Sequence, residues 1–354
     1  MTKRTKTSTK KSKVSVADQV EKDEKYFEDK EVGKGTQKKY KEVLKQLKET
    51  KEEFKEFKET WNLLQNNKEE VIILPKESSE ISEATAVAVI SDWHVEEEVR
   101  SGPAIKNNRY NLEIAKKRSE KFFQKTVSLI KKEQQGVKIT NLLIPILGDM
   151  ITARPHEENL ETCLLLPADA ILYAETLLVS GIKFILAQTD LQITIVCHVG
   201  NHPRITKKVH HATETGNSLE TLLYHALAQN FKLEPRVKFQ IASEYHSFMK
   251  VYDTKIRFHH GHKINYNGGV GGLTIPVNKA IAQWNKINPV DLDIFGHFHT
   301  YMSMKNFIAN GSLIGYNAFA LSIKADWDVP RQAFFLIDKK HGVSVNIPII
   351  LDDK

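Results

Sequence analysis

The stretch Ala84-Thr85-Ala86-Val87-Ala88-Val89-Ile90-Ser91-Asp92-Trp93-His94 decides how this chain is read. Its first seven residues form an unbroken, largely apolar run of strand length, the pattern of a buried strand. A carboxylate and an imidazole follow, two positions apart, where the strand gives way to a loop, so both can turn toward one point. Together they suit a divalent transition metal. The pair alone is common at strand ends and most such pairs carry no metal, so the reading depends on further ligands downstream.

Downstream, apolar strands alternate with longer amphipathic segments, the signature of an α/β domain. A helix is expected over residues 111–132 and a strand over 141–147, which ends in Gly148-Asp149-Met150. Pro145 is unusual for a central strand and leaves that strand's position in its sheet open. Residues 160–188 read as helical, with Pro167 at a break or start. A strand over 192–197 leads to Gly200-Asn201-His202, and a basic loop follows with Arg204, Lys207, Lys208, His210 and His211. Then come a helix at 218–230, strands at 237–241, 247–252 and 255–259, a glycine cluster at 268–272, and a helix at 277–285. A strand over 292–295 runs into Gly296-His297-Phe298-His299.

Upstream the character changes. Residues 1–35 are rich in Lys, Ser and Thr and hold too little apolar matter to build a core, so they read as a disordered basic arm. The arm is either a solvated tail or an electrostatic tether to nucleic acid. Over 36–66, Val43, Leu47, Thr50, Phe54, Phe57, Trp61 and Leu64 recur in steps of three and four on a helix otherwise covered by Lys and Glu. Thr36 is the expected N-cap. This helix suits either homodimerisation or docking onto the chain's own catalytic domain. Residues 67–83 read as a linker with one apolar run, Val71-Ile72-Ile73-Leu74, and residues 84–354 as the catalytic domain.

Composition sets limits. A 354-residue chain with 41% hydrophobic residues can bury a sizeable core. The net charge of +7 permits a polyanionic partner but does not require one. Cys163 and Cys197 have no zinc-knuckle or disulfide spacing, which fits a reducing cytoplasm. The basic N-terminus lacks the apolar segment of a secretion signal, and no run is expected to span a bilayer.

Possible ligands recur wherever a strand ends: Asp92 and His94, Asp149, Asn201 and His202, His260 and His262, His297 and His299. Each alone could be a turn or core residue. Together they fit a site gathered beyond the carboxyl ends of strands. The ordered series Asp92-Trp93-His94, Gly148-Asp149, Gly200-Asn201-His202, His260-Gly261-His262 and Gly296-His297-Phe298-His299 resembles the calcineurin-like metallophosphoesterase superfamily. The flanking Ser91, His156-Glu157-Glu158, the glycine cluster and the segment from Asn310 to Tyr316 are similar to a bacteriophage and prophage branch, often likened to SbcD-type DNA repair exonucleases.

That resemblance implies a four-layer α-β-β-α sandwich metallophosphoesterase domain. It also implies two divalent metal ions, with Mn²⁺ the first expectation and Fe or Zn²⁺ the alternatives. Asp92, His94 and His299 would hold one metal, Asn201, His260 and His297 the other, and Asp149 would bridge them. Two cations roughly 3.5–4 Å apart would activate a hydroxide for in-line attack on phosphorus. His202 would contact the phosphate and protonate the leaving alkoxide. His260 is taken over His259, and His94 over His262, by motif position. The family usually places an acidic residue after its Gly-Asn-His, whereas Pro203-Arg204 follows here. Either another carboxylate supports His202, or its proton transfer is weakened and Arg204 assists with the phosphate; the second is favoured. His156 is a further phosphate-contact residue or a plain surface histidine.

The implied function is a metal-dependent phosphodiesterase, first a DNA nuclease in the cytoplasm of a bacterial host, with DNA as partner. The alternatives are a phosphodiesterase on cyclic nucleotides or other small phosphodiesters, and a nucleic-acid-binding adaptor with a degenerate site.

Overall fold

A computed structural model describes residues 22, 25, 34–66, 81–153, 159–266, 271–322 and 326–352. Most of the basic arm, the apolar run at 71–74, His156 and part of the glycine cluster lie outside the described residues. The chain divides into two compact units, Met1–Glu77 and Ser78–Lys354.

The first unit contains helix α1, Lys34–Asn66. It begins ahead of Thr36, so that residue lies inside the first turn rather than at the N-cap. Pairs such as Lys45–Glu49 and Lys55–Glu59 line its charged surface one turn apart.

The second unit is a mixed α/β domain. Its larger sheet joins β1 (Ser82–Ala88), β2 (Val137–Ile146), β3 (Gln192–Cys197), β4 (Val237–Ile241), β11 (Phe334–Asp338) and β12 (Gly342–Asn346) in the order β12-β11-β1-β2-β3-β4. Strands β1 to β4 are parallel, and β11 runs antiparallel beside β1. The second sheet has the order β5-β6-β7-β9-β8, from Ser247–Val251, Thr254–Phe258, Leu292–Phe295, Phe307–Ala309 and Met302–Ser303. A short ladder pairs β10 (Arg331–Gln332) with β13 (Ile349–Ile350).

The layers follow from side-chain alternation along each strand. Ala86, Ala88, Leu142, Ile144, Ile193 and Ile195 point to one face of the large sheet and pack against α2 (Leu112–Glu133), α3 (Pro167–Gln188) and α4 (Leu219–Asn230). Their neighbours Val87, Val89, Leu143 and Val196 point the other way, onto Ile256, Phe258, Leu292 and Ile294 of the second sheet. On the far side of that sheet, Phe295 and Phe307 meet Val277 and Ile281 of α5 (Thr274–Trp284). Three separate apolar cores therefore define four layers, α-β-β-α.

Pro145 does lie in a central strand, between β1 and β3. Lacking an N–H, it cannot complete the ladder toward β1. The β1–β2 pairing accordingly stops at Val87↔Leu143 and resumes only as an isolated bridge at Ile90↔Ile146. Helix α3 corrects another expectation. By length and composition it could cross a bilayer, yet it buries Ala174, Leu178, Ile182 and Ile185 in the first core. Pro167 occupies its first turn, where no N–H is needed.

Candidate metal centre

The seven expected ligands come from five loops, each following the carboxyl end of a strand: β1, β2 and β3 in one sheet, β6 and β7 in the other. Backbone hydrogen bonds knit these loops together. Asp92 N donates to Gly148 O at 3.0 Å, His94 N to Asp149 O at 3.1 Å, and Gly296 N to His260 O at 2.8 Å. The two sheets meet where His297 N donates to the Asp92 carboxylate at 3.0 Å. Ser91 Oγ also donates to Asp92 at 2.5 Å and accepts from Asn310 Nδ2 at 2.8 Å.

The loops nest so closely that two of the motif glycines are steric requirements. A Cβ on Gly200 would lie 2.0 Å from Asp149 Oδ1, and one on Gly296 would lie 2.4 Å from Asp92 Oδ2. Five of the seven expected ligands, Asp92, His94, Asp149, His297 and His299, adopt positive φ between 48° and 71°. Left-handed backbone at such residues costs of order 1 kcal/mol each. Such strain persists where the surroundings over-determine it, as they do at functional sites.

Two groups of donors result. Asp92, His94 and His299 form one, and Asp149, His260 and His297 the other, each with ligand atoms within 4.8 Å of one another. In the first, His94 Nε2 lies 3.2 Å from His299 Nε2, and His299 Nε2 lies 3.5 Å from Asp92 Oδ1. In the second, His260 Nε2 is 2.9 Å from Asp149 Oδ2 and 3.2 Å from Asn201 Oδ1. His260, not His259, therefore reaches the centre. His259 stacks on Phe295 and lies edge-on to Trp284. His262 Nε2 lies against Glu214 Oε1 at 2.5 Å.

The outer ring nitrogens show that these donors fit a cation. His260 Nδ1 meets Leu147 O at 2.6 Å and so carries its proton there. His94 Nδ1 meets Thr152 Oγ1 at 2.8 Å while the Thr152 hydroxyl donates to Glu97 at 3.0 Å, so that nitrogen is also the donor. The His94 Nε2 lone pair is left facing the centre, while His260 Nε2 meets the Asp149 carboxylate. A mixed set of oxygen and imidazole donors, with the outer nitrogens of His94 and His260 tied down, is what a divalent transition metal takes.

The electrostatics separate the imidazoles: despite burial, the Asp149 carboxylate beside His260 pushes that ring up to about 10. Burial, reinforced by neighbouring histidines, holds His94 and His297 well below the usual imidazole range, and therefore neutral. Burial alone would raise Asp149, but His260 and His202 outweigh it and keep the carboxyl well below its ordinary value. His299 is raised despite burial because Asp92 stands beside it.

His202 N donates to Asp149 Oδ1 at 2.9 Å, and its ring lies edge-on to His94 with centroids 5.0 Å apart. Its Nδ1 has no hydrogen-bond partner among the described residues, so none of their carboxylates takes the place of the acidic residue missing from the motif. The Arg204 guanidinium donates to Asn201 O, placing it beside the same loop.

Three supporting acids were not legible beforehand. Glu96 accepts from Thr152 N at 3.1 Å and Ala153 N at 2.7 Å. Glu97 receives Thr152 Oγ1 and, at 2.9 Å, Asn317 Nδ2. Glu220 accepts from two backbone amides of the ligand loops. Burial pushes the Glu96 carboxyl up to about 7; burial and then the charge of Asp149 push Glu220 up to about 8. In sequence each looks like an ordinary loop or helix-start acid. Only its burial sets it apart.

No family model matches the sequence, and no curated protein matches it. Among solved structures the chain is similar to an archaeal phosphodiesterase, at 13% identity over 74% of this chain and 99% of that one, with TM-score 0.34. It is also similar to Vps29 of Entamoeba histolytica complexed with Zn²⁺, at 14% identity over 75% and 99%, TM-score 0.30. A third is an uncharacterized phosphoesterase-like protein of Streptococcus pneumoniae, at 12% identity over 75% and 97%, TM-score 0.26. These are likenesses only, and the chemistry is read from this chain's own residues.

Proposed function

We propose that this chain is a metal-dependent phosphodiesterase whose substrate is DNA. The observation that carries the reading is the pair of donor groups, Asp92/His94/His299 and Asp149/His260/His297, built at adjoining strand ends of two packed sheets. Asn201 would complete the second group beside His260, and Asp149 would serve both ions. Two bound divalent cations, Mn²⁺ first, would supply Lewis acidity toward phosphate oxygens and lower the pKa of water.

The protein's own groups do the rest. His202, anchored through its backbone to Asp149, contacts the phosphate; with no described carboxylate bonded to its Nδ1, its proton transfer to the leaving oxygen is weakened. Arg204, held at the Asn201 carbonyl, offers its charge to the phosphate. The exposed Lys207, Lys208 and His210 continue this basic loop outward, which supports a long polyanion over a small ester.

The test is Mn²⁺-dependent cleavage of end-labelled single- and double-stranded DNA across a salt series, beside His297→Ala. Cleavage that needs metal, disappears in the variant and weakens with salt is expected. Intact DNA with hydrolysis of a small chromogenic phosphodiester would keep the site and replace the substrate. DNA binding without metal uptake would make the chain an adaptor.

A further inference from the structure

Glu220 stands in the first turn of α4, fully buried, and both its oxygens are spent on the backbone of the ligand loops. Oε1 accepts from Met150 N at 2.6 Å, and Oε2 accepts from Gly200 N at 2.7 Å. Met150 directly follows Asp149, and Gly200 directly precedes Asn201. One side chain thus ties the loop bearing the shared aspartate to the loop bearing the asparagine. Both contacts sit at the short end for N–H···O bonds.

The surroundings fix Glu220 itself. Ser218 caps the helix by accepting from Glu220 N, and Tyr224, one turn on, donates to His198 O at 2.8 Å. The helix start therefore grips the segment before Asn201 at two points. Asp149 needs such a grip, because its φ of 54° is strained.

We infer that Glu220 is a positioning residue, holding the Asp149 and Asn201 loops at the separation from which both reach one cation. The inference rests on the metal-centre reading above. It differs from a purely structural role, which would lower stability and leave the metal untouched.

Glu220→Gln keeps the size but turns an amide NH₂ against one of the two backbone N–H groups; Glu220→Asp keeps the carboxyl but is too short to span both. Mn²⁺ binding to each metal-free protein is measured by calorimetric titration, with a melting curve as the folding control. About 10- to 100-fold weaker binding of at least one ion is expected in both variants. Wild-type affinity in a folded variant, even with a lowered melting temperature, overturns the inference. Should the variants not fold, amide exchange in the wild-type protein decides: strong protection at Met150 and Gly200 is expected, and loop-like exchange there overturns it. If the wild-type protein itself takes up no Mn²⁺, the metal-centre reading falls first; unchanged variants beside a metal-binding wild type sink the Glu220 assignment alone.

Discussion

Replacing Thr152 with Val tests whether the hydrogen bonds outside the centre set its affinity. The side chains match in shape, but Val cannot accept from His94 Nδ1, now 2.8 Å from the hydroxyl, nor donate to Glu97 at 3.0 Å. Leaving a buried donor unpaired costs about 1–3 kcal/mol. The same change frees the imidazole to move its proton to Nε2, toward the centre. Loss of such an outer partner weakens metal binding about 10- to 100-fold, roughly 1.4–2.7 kcal/mol, which agrees with the first figure. The assay is Mn²⁺ titration calorimetry at pH 8, together with the Mn²⁺ concentration needed for half-maximal hydrolysis. Thr152→Ser keeps the hydroxyl and should stay near wild type. Equal Mn²⁺ affinity in the Val variant and the wild type would refute the reasoning.

Arg257 is fully buried and forks onto Asp293 at 2.6 and 3.0 Å, joining β6 to β7 just before His260 and His297. Arg257→Met strands that carboxylate and should cost about 3–5 kcal/mol in urea denaturation, with much of it recovered by adding Asp293→Leu. A single variant within 1 kcal/mol of wild type, on the order of a surface change, would contradict the pair's importance. Burial, then His259 and His246, push His198 down to about 3 in the folded protein. The unfolded chain, with histidine near about 6.5, binds more protons between these values, so stability present above pH 6.5 is lost as pH falls toward 3. The share between pH 7 and pH 5 is at most about 2 kcal/mol. His198→Gln should flatten that slope in urea titrations; an identical slope in variant and wild type would show that His198 carries none of it.

Much of this site could be read from the order of residues, because strand and loop signals are local. A continuous apolar run closes a strand, and Asp92, His94, Asp149, Asn201, His297 and His299 each fall just beyond such a run. The sequence alone thus determined which loops carry the candidate donors and the α/β alternation that gathers them. Neighbouring residues could not be separated in the same way. Between His259 and His260 local pattern is silent, and the strand's alternation in the assembled sheet sends one to Asp149 and the other to Trp284 and Phe295. Pro145 was ambiguous because the cost of its missing N–H depends on what the adjacent strand does at that height. Thr152, Glu96, Glu97 and Glu220 were invisible for a related reason. A polar residue becomes a support only when distant segments bury it against particular backbone amides or ring nitrogens. That pairing, from residues as far apart as Met150 and Glu220, is fixed by how the helices and sheets pack, and so by the tertiary structure alone.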